Sequence, residues 1–93
     1  MHIGVCTIQL QLLANHSLKE KRRIIKSIKD KVKNKYNVSI AEIDSLDKWQ
    51  LATLGIACVS NDSRFANSTL SNVIEFIDNM RVADLIDYHI EIL

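Results

Sequence analysis

The hydrophobic period of this chain switches between the two-residue repeat of a strand and the 3.6-residue repeat of a helix, and the order of those switches limits the fold. Alternation predicts strands at 2–12, 38–43, 48–60 and 83–93. Helical spacing predicts helices at 17–36 and 64–79. Turn-forming residues at 14–16, 44–47 and 61–63 separate several of these segments. The chain therefore has the predicted order β-α-β-β-α-β.

That order is typical of the ferredoxin-like split βαβ arrangement, an α+β fold. Two right-handed crossovers place both helices on one face of a four-stranded antiparallel sheet. We expect the first and third strands in the middle and the second and fourth at the edges. A length of 93 residues with 47% hydrophobic residues predicts a single domain spanning 1–93.

The segment 17–36 is predicted to be one long amphipathic helix. Ser17 followed by Glu20 is a capping box, in which the hydroxyl accepts from the Glu20 N–H and the carboxylate reaches back to the Ser17 N–H. Apolar residues with helical spacing predict the face that packs on the core: Leu18, Ile24, Ile25, Ile28, Val32 and Tyr36. No glycine or proline interrupts this run.

The opposite side of this helix carries cations within an arc of about 120°. We call this set the basic ridge: Lys19, Arg22, Arg23, Lys26, Lys29 and Lys33. Many of its members are three or four residues apart, where like charges cost about 0.2–0.5 kcal/mol per pair. The helix has a charge of +7 and the rest of the chain −6, although the net charge is only +1. Like charges placed three or four residues apart are unfavourable for a helix, and unfavourable local features of this kind tend to occur at functional sites.

Three interpretations of the basic ridge remain open. The first is a solvated face that keeps the protein soluble. The second is a site for polyanions such as RNA phosphates or a ribosome, and the third is a surface for a charged protein partner. The open face of the predicted sheet is a poor platform for bases, because Thr7, Gln9, Thr53 and Gly55 offer no aromatic ring. We therefore expect any RNA contact to come from the basic ridge.

Trp49 is the only tryptophan and suggests a different kind of interface. Alternation with Leu51 and Thr53 directs it toward the open face, where Gly55 and Ala57 leave a flat surface. We predict a partner interface of Trp49, Leu51 and Gly55, used by a homodimer or another protein. The alternative is that Trp49 folds over the sheet edge within its own subunit.

Catalytic and metal-binding patterns are weak in this sequence. It lacks G-x-S-x-G, the P-loop, G-x-G-x-x-G and H-E-x-x-H, and the segment 14–16 lacks the glycines and arginine of an acylphosphatase loop. Glu42, Asp44 and Asp47 near a turn are more typical of solvated carboxylates than of a Mg²⁺ site. His2, His16 and His89 lack ligand spacing. We expect no enzyme activity, no metal and no cofactor.

The cysteines and the hydropathy of the sequence indicate the cellular compartment in which the protein is expected. Cys6 and Cys58 are expected to be buried free thiols rather than a redox pair. The sequence has neither a signal peptide nor an apolar run long enough to span a membrane. We therefore expect a cytoplasmic protein with no membrane partner.

Several short stretches add a family resemblance that covers almost the whole chain. The most specific are Ser17-Leu18-Lys19-Glu20-Lys21-Arg22, Asn37-Val38-Ser39, Ala41-Glu42, Trp49-Gln50 and Ser60-Asn61-Asp62. In these residues the sequence resembles the YlxP-type family of small bacterial proteins. The resemblance implies a ferredoxin-like fold. Genes of this family often lie among translation genes, near a ribosome-binding factor and an initiation factor, which implies a role around RNA or ribosomes.

Overall fold

The structure is a computed structural model that describes residues 1–13 and 16–93. The helices and strands are β1 His2–Gln11, α1 Leu18–Lys35, β2 Ser39–Asp44, β3 Leu51–Ser60, α2 Ser63–Asn79 and β4 Asp84–Ile92. The predicted order is confirmed. Most of the predicted turn at 14–16 lies outside the described residues. β3 begins three residues later than predicted, so the connection from β2 to β3 is the longer segment 45–50.

The strands form one antiparallel sheet in the order β2-β3-β1-β4. β1 and β3 pair along their whole length, from His2 opposite Ser60 to Gln11 opposite Leu51. The prediction that the first and third strands are central, with the second and fourth at the edges, is confirmed. The architecture is a ferredoxin-like α+β fold, as predicted.

The core lies between the sheet and the two helices. Alternate residues of the central strands face it, including Cys6, Ile8 and Leu10 of β1. α1 contributes Ile25, Ile28 and Val32 of its predicted apolar face, whereas Leu18, Ile24 and Tyr36 of that face are half-buried. α2 contributes a second apolar stripe: Ala66, Leu70, Val73, Ile74 and Ile77. β1 approaches α2 closely at Gly4, where a Cβ atom would lie 2.9 Å from Leu70 Cδ1.

A bulge in β4 changes which of its residues are buried. β1 pairs Gln9 with Asp87 but Leu10 with Leu85, which leaves Ile86 as an extra residue. Alternation within the segment 83–93 predicts that Ile86 and Tyr88 point inward, yet these side chains are 51% and 54% exposed. Ile86 is the extra residue of the bulge and therefore does not follow the alternation that would direct its side chain to the core. Tyr88 shares the face of its partner Ile8 but lies on an edge strand.

The start of α1 differs slightly from a capping box. Ser17 Oγ accepts a hydrogen bond from the Glu20 N–H at 3.1 Å, as predicted. The Glu20 carboxylate, however, accepts from the His16 N–H at 3.3 Å rather than from Ser17. At the start of α2, Asp62 Oδ1 accepts from the Arg64 N–H at 2.8 Å. Both helices thus have a side-chain cap that satisfies one of their first N–H groups.

Candidate nucleic-acid interface

The basic ridge runs along one side of α1. Five of its cations are exposed and Lys29 is half-buried. The buried stripe of Ile25, Ile28 and Val32 occupies the other side of the helix and faces the core. At 1.5 Å per residue, the ridge extends about 21 Å along the helix axis from Lys19 to Lys33.

One carboxylate interrupts the positive charge of the basic ridge. Lys26 Nζ lies 2.7 Å from Asp30 Oδ2 in an exposed pair four residues apart. The hydrogen bond from Lys26 is the main cause that lowers the pKa of Asp30, and attraction to Lys26, Lys33 and Lys29 adds to it. Within residues 1–13 and 16–93, Lys26 is the only ridge cation paired with a carboxylate. The rest of the ridge is therefore available to external anions.

Lys21 lies on the same helix but points the opposite way, into the protein. Its side chain is only 1% exposed. Nζ donates to the Ser45 carbonyl at 2.5 Å and to the Lys48 carbonyl at 2.7 Å. It also lies 2.8 Å from Glu42 Oε2, an ion pair without the alignment of a good hydrogen bond. Lys21 therefore contributes no charge to the basic ridge.

The contacts of Lys21 fix the connection 45–50 against α1. Ser45 has a left-handed backbone with φ of 62°, an uncommon conformation for a residue other than glycine. Its carbonyl accepts from the Lys48 N–H at 3.1 Å as well as from Lys21. Its hydroxyl lies 3.4 Å from the hydroxyl of the buried Thr53. The connection is thus tied to both the helix and β3.

This role of Lys21 is not among the predictions from the sequence, although its spacing in the helix indicates it. Lys21 precedes Ile25, Ile28 and Val32 by four, seven and eleven residues, which places it in the middle of the buried stripe. Glu42 likewise follows the buried Ile40 by two residues and so shares its face of β2. A lysine and a glutamate on two facing apolar surfaces are expected to pair, because buried charges are seldom left alone.

The acidic residues near the hairpin are accounted for by contacts within the chain. Glu42 pairs with Lys21, and Asp44 Oδ1 accepts from the Ser45 N–H at 2.7 Å. Across the described residues, no group of three or more His, Cys, Asp or Glu side chains could hold a metal ion.

The predicted partner interface falls on two different parts of the structure. Leu51 and Gly55 lie on the open face of β3, opposite Gln11 and Thr7. Gly55 lies beneath Ile43, since a Cβ atom on it would approach Ile43 Cγ2 to 2.9 Å. Trp49, 54% exposed, precedes β3 rather than belonging to it, so strand alternation does not determine its direction.

The open face of the sheet is divided by polarity. A shallow apolar depression of about 320 Å³ is bordered on this face by Val5, Ala41, Ile43, Gly55 and Ala57. Along the neighbouring β4, the residues paired with Gln11, Gln9 and Val5 are acidic. We call this set the acidic column: Asp84, Asp87 and Glu91. It lies on the face of the sheet opposite the helices.

The sequence pattern of the family described as "Protein of unknown function (DUF503)" matches residues 3–90. The chain belongs to the DUF503 family. This DUF503 chain is similar to the "Uncharacterized protein YlxP" of Bacillus subtilis (strain 168). The two are 48% identical over 77 residues, which are 83% of this chain and 84% of the relative. The predicted resemblance to YlxP-type proteins is confirmed.

Two solved structures resemble the DUF503 chain in fold. A structural-genomics protein named YJCS has a TM-score of 0.51 and 10% identity, with 96% of each chain covered. A de novo designed protein with a ferredoxin fold, LFR1 1, has a TM-score of 0.51 and 17% identity, covering all of this chain and 83% of the designed one. At such low identity these likenesses establish the ferredoxin-like fold alone. None of the described helices is both long and apolar enough to cross a membrane.

Proposed function

We propose that this DUF503 protein binds RNA, free or within ribosomes, through the phosphate contacts of the basic ridge. The observation that supports this is the state of the ridge cations: five of the six are exposed, and Lys26 alone among them has a carboxylate partner in the described chain. A helix that only needed to be soluble would gain from opposite charges three or four residues apart. The like charges found here suit a polyanion.

The expected binding is electrostatic and largely independent of sequence. Arg22 and Arg23 offer planar guanidinium groups that grip phosphate oxygens in pairs, whereas the lysines act as point charges. Such contacts position a protein on RNA without reading its bases. Each phosphate contact releases counterions, so affinity falls steeply as salt rises.

We propose a binding role rather than catalysis. The cysteines are the strongest potential nucleophiles in the sequence, and both are buried. Burial raises the pKa of the Cys6 thiol to about 11, so it stays protonated and unreactive at neutral pH. A ribosomal or RNA partner implies a cytoplasmic protein.

Two double variants with the same change in net charge test the proposal. The ridge variant carries Arg22→Glu and Lys33→Glu, and the control carries Lys31→Glu and Arg64→Glu, all at exposed positions. Dissociation constants for a labelled RNA oligonucleotide and for purified ribosomes would be measured between about 50 and 200 mM salt. We expect the ridge variant to lose affinity and to reduce the slope of log K against log salt by at least about 1.4 for a single strand.

The control variant separates a local site from net charge. We expect it to bind nearly as tightly as wild type, with folding of both variants checked by circular dichroism. If both variants lose affinity equally, net charge explains the binding. If wild type does not bind at low salt, the proposal is wrong.

A homodimer through the open face is the second candidate. The observation that favours it is the apolar depression, which includes Gly55, continued by the exposed Val59 and Leu93, both adjacent to Ile3. Exposed apolar patches of this kind often mark interfaces. Sedimentation velocity of wild type and an Ala57→Asp variant would test it. We expect a salt-insensitive dimer that the variant abolishes, and a wild-type monomer at micromolar concentration would contradict it.

A further inference from the structure

Trp49 lies in the segment 45–50, which Lys21 ties to the N-terminal half of α1. Its neighbour Lys48 offers its carbonyl to Lys21 Nζ at 2.7 Å, and the ridge residues Lys19 and Arg22 lie close to Lys21 in the sequence of α1. The indole is 54% exposed. The largest aromatic side chain of the protein is therefore carried by a segment that is fixed to the helix bearing the basic ridge.

The backbone on each side of Trp49 is anchored. On one side the Lys48 carbonyl accepts from the buried Lys21. On the other, the Gln50 carbonyl accepts from the Leu12 N–H at 2.9 Å, which ties it to the end of β1. Because the backbone on each side of the ring is already held, little backbone ordering is needed when a ligand packs on the indole, which favours binding.

The charged residues near Trp49, in the hairpin formed by β2, the connection 45–50 and β3, favour an uncharged ligand group over an anion. Lys48 is offset by Asp44 and Asp47, which are exposed like it. Phosphates are thus favoured along α1 and disfavoured at the hairpin. A shallow depression of about 550 Å³ adjoins the ring and is lined by Lys48, Trp49, Gln50 and Leu51. Its volume falls in the range of small-molecule sites, about 300–1,000 Å³, and is sufficient for a nucleobase.

The other aromatic residues are less suited to stacking on a base. Tyr36 and Phe76 are half-buried and pack edge to face, with centroids 5.6 Å apart, under Lys35. Tyr88 lies on the edge strand β4 and Phe65 in the first turn of α2, so neither belongs to the segment that Lys21 ties to α1. Among the aromatic residues in the described part of the chain, Trp49 alone combines exposure with a position in that segment.

We propose that Trp49 stacks on an unpaired base of the RNA whose phosphates contact the basic ridge. The inference rests on the proposed function and adds a ligand class to it: single strands, or duplexes with an unpaired end, are preferred over continuous duplexes. Bases within a duplex have both faces covered by their neighbours, whereas unpaired bases are open to aromatic side chains.

The test uses three RNA probes with the full-length protein: a single strand, a blunt duplex, and the same duplex with an unpaired overhang. Because the chain has one tryptophan, its fluorescence reports on this site alone. We expect the single strand and the overhang to quench the fluorescence and the blunt duplex to leave it almost unchanged. We expect Trp49→Leu to weaken binding of the first two about 5- to 150-fold, with little effect on the blunt duplex.

Two further variants keep the result specific. Trp49→Phe retains a ring and should restore much of the affinity. Tyr88→Leu removes a ring of the same 54% exposure from β4 and should change nothing. The salt slope should not change with Trp49→Leu, because that substitution removes no phosphate contact.

The outcomes separate this inference from the proposed function. If all probes bind through the basic ridge but Trp49→Leu affects them equally or not at all, the stacking inference is wrong and ridge binding stands. If no probe binds, both are wrong.

Discussion

The ammonium group of Lys21 is surrounded by two carbonyl oxygens and one carboxylate oxygen, at 2.5, 2.7 and 2.8 Å. Two of the three N–H bonds of this lysine donate to the carbonyls, and the Glu42 carboxylate supplies the opposite charge. Taking a charge out of water is costly, and the cost is recovered only where partners are this close. Lys21 is therefore stable in its buried position only while Glu42 and the carbonyls of Ser45 and Lys48 remain its partners.

We predict that Lys21→Met lowers the free energy of unfolding by about 3–5 kcal/mol, because Glu42 is left as a buried charge without a partner. Adding Glu42→Met should recover part of this loss, but not all, since the Lys48 carbonyl still lacks a donor and the Ser45 carbonyl keeps only the Lys48 N–H. Urea denaturation of the two single variants and the double variant measures this coupling.

The matched control is Lys26→Met, which breaks the exposed pair with Asp30 on the same helix. We expect its unfolding to stay close to that of wild type. A similar result for Lys21→Met would mean that the buried pair contributes little.

The packing of β1 against α2 depends on Gly4. A Cβ atom there would lie 2.9 Å from Leu70 Cδ1 and 3.2 Å from Cys58 Sγ, in a fully packed part of the core. We predict that Gly4→Ala costs about 1–3 kcal/mol of unfolding free energy through overpacking. Gly55→Ala meets Ile43 at the same 2.9 Å, but Ile43 is exposed and free to turn away. Thermal denaturation should show the larger loss for Gly4→Ala, and the reverse order would contradict this account.

The order of helices and strands was predictable because each has a clear hydrophobic period over many residues. The basic ridge was predictable for the same reason, since side-chain directions on a regular helix follow from spacing alone. The bulges at Ile43 and Ile86 were not, because one inserted residue breaks the alternation from which strand faces are predicted.

The contacts that position the candidate site depend on residues distant in sequence. Lys21 meets Ser45 and Lys48 only after the hairpin has folded back onto α1. The position of Trp49 follows from those same contacts, and β3 begins after it, so alternation gave no valid direction for its ring.

At the scale of the whole molecule, the basic ridge and the acidic column lie on opposite sides of the sheet. The basic ridge lies on the helix side and the acidic column on the opposite face. Charges further apart than the Debye length barely interact, and this length is about 8 Å at 0.15 M salt but about 30 Å at 0.01 M. The two surfaces are therefore coupled in dilute salt and nearly independent at physiological salt.

We predict that Asp87→Asn together with Glu91→Gln tightens RNA binding at about 0.01 M salt and has almost no effect at about 0.15 M. The substitutions remove repulsion between the acidic column and the phosphates. Fluorescence anisotropy with one labelled RNA at both salt concentrations measures this. An equal effect at both concentrations would instead indicate that β4 contacts the RNA directly.

Because Lys21 is buried, the acylation rate of its amine can be used as a probe of local opening. The other lysines of α1 (Lys19, Lys26, Lys29, Lys31, Lys33 and Lys35) are exposed or half-buried, so an acylating reagent can reach them in the folded protein. Lys21 can be acylated only while the segment 45–50 is lifted from the helix, because Ser45, Lys48 and Glu42 enclose its nitrogen. The rate of its acylation therefore measures how often the segment 45–50 opens. Since Trp49 belongs to this segment, the same rate reports how often the indole leaves its position.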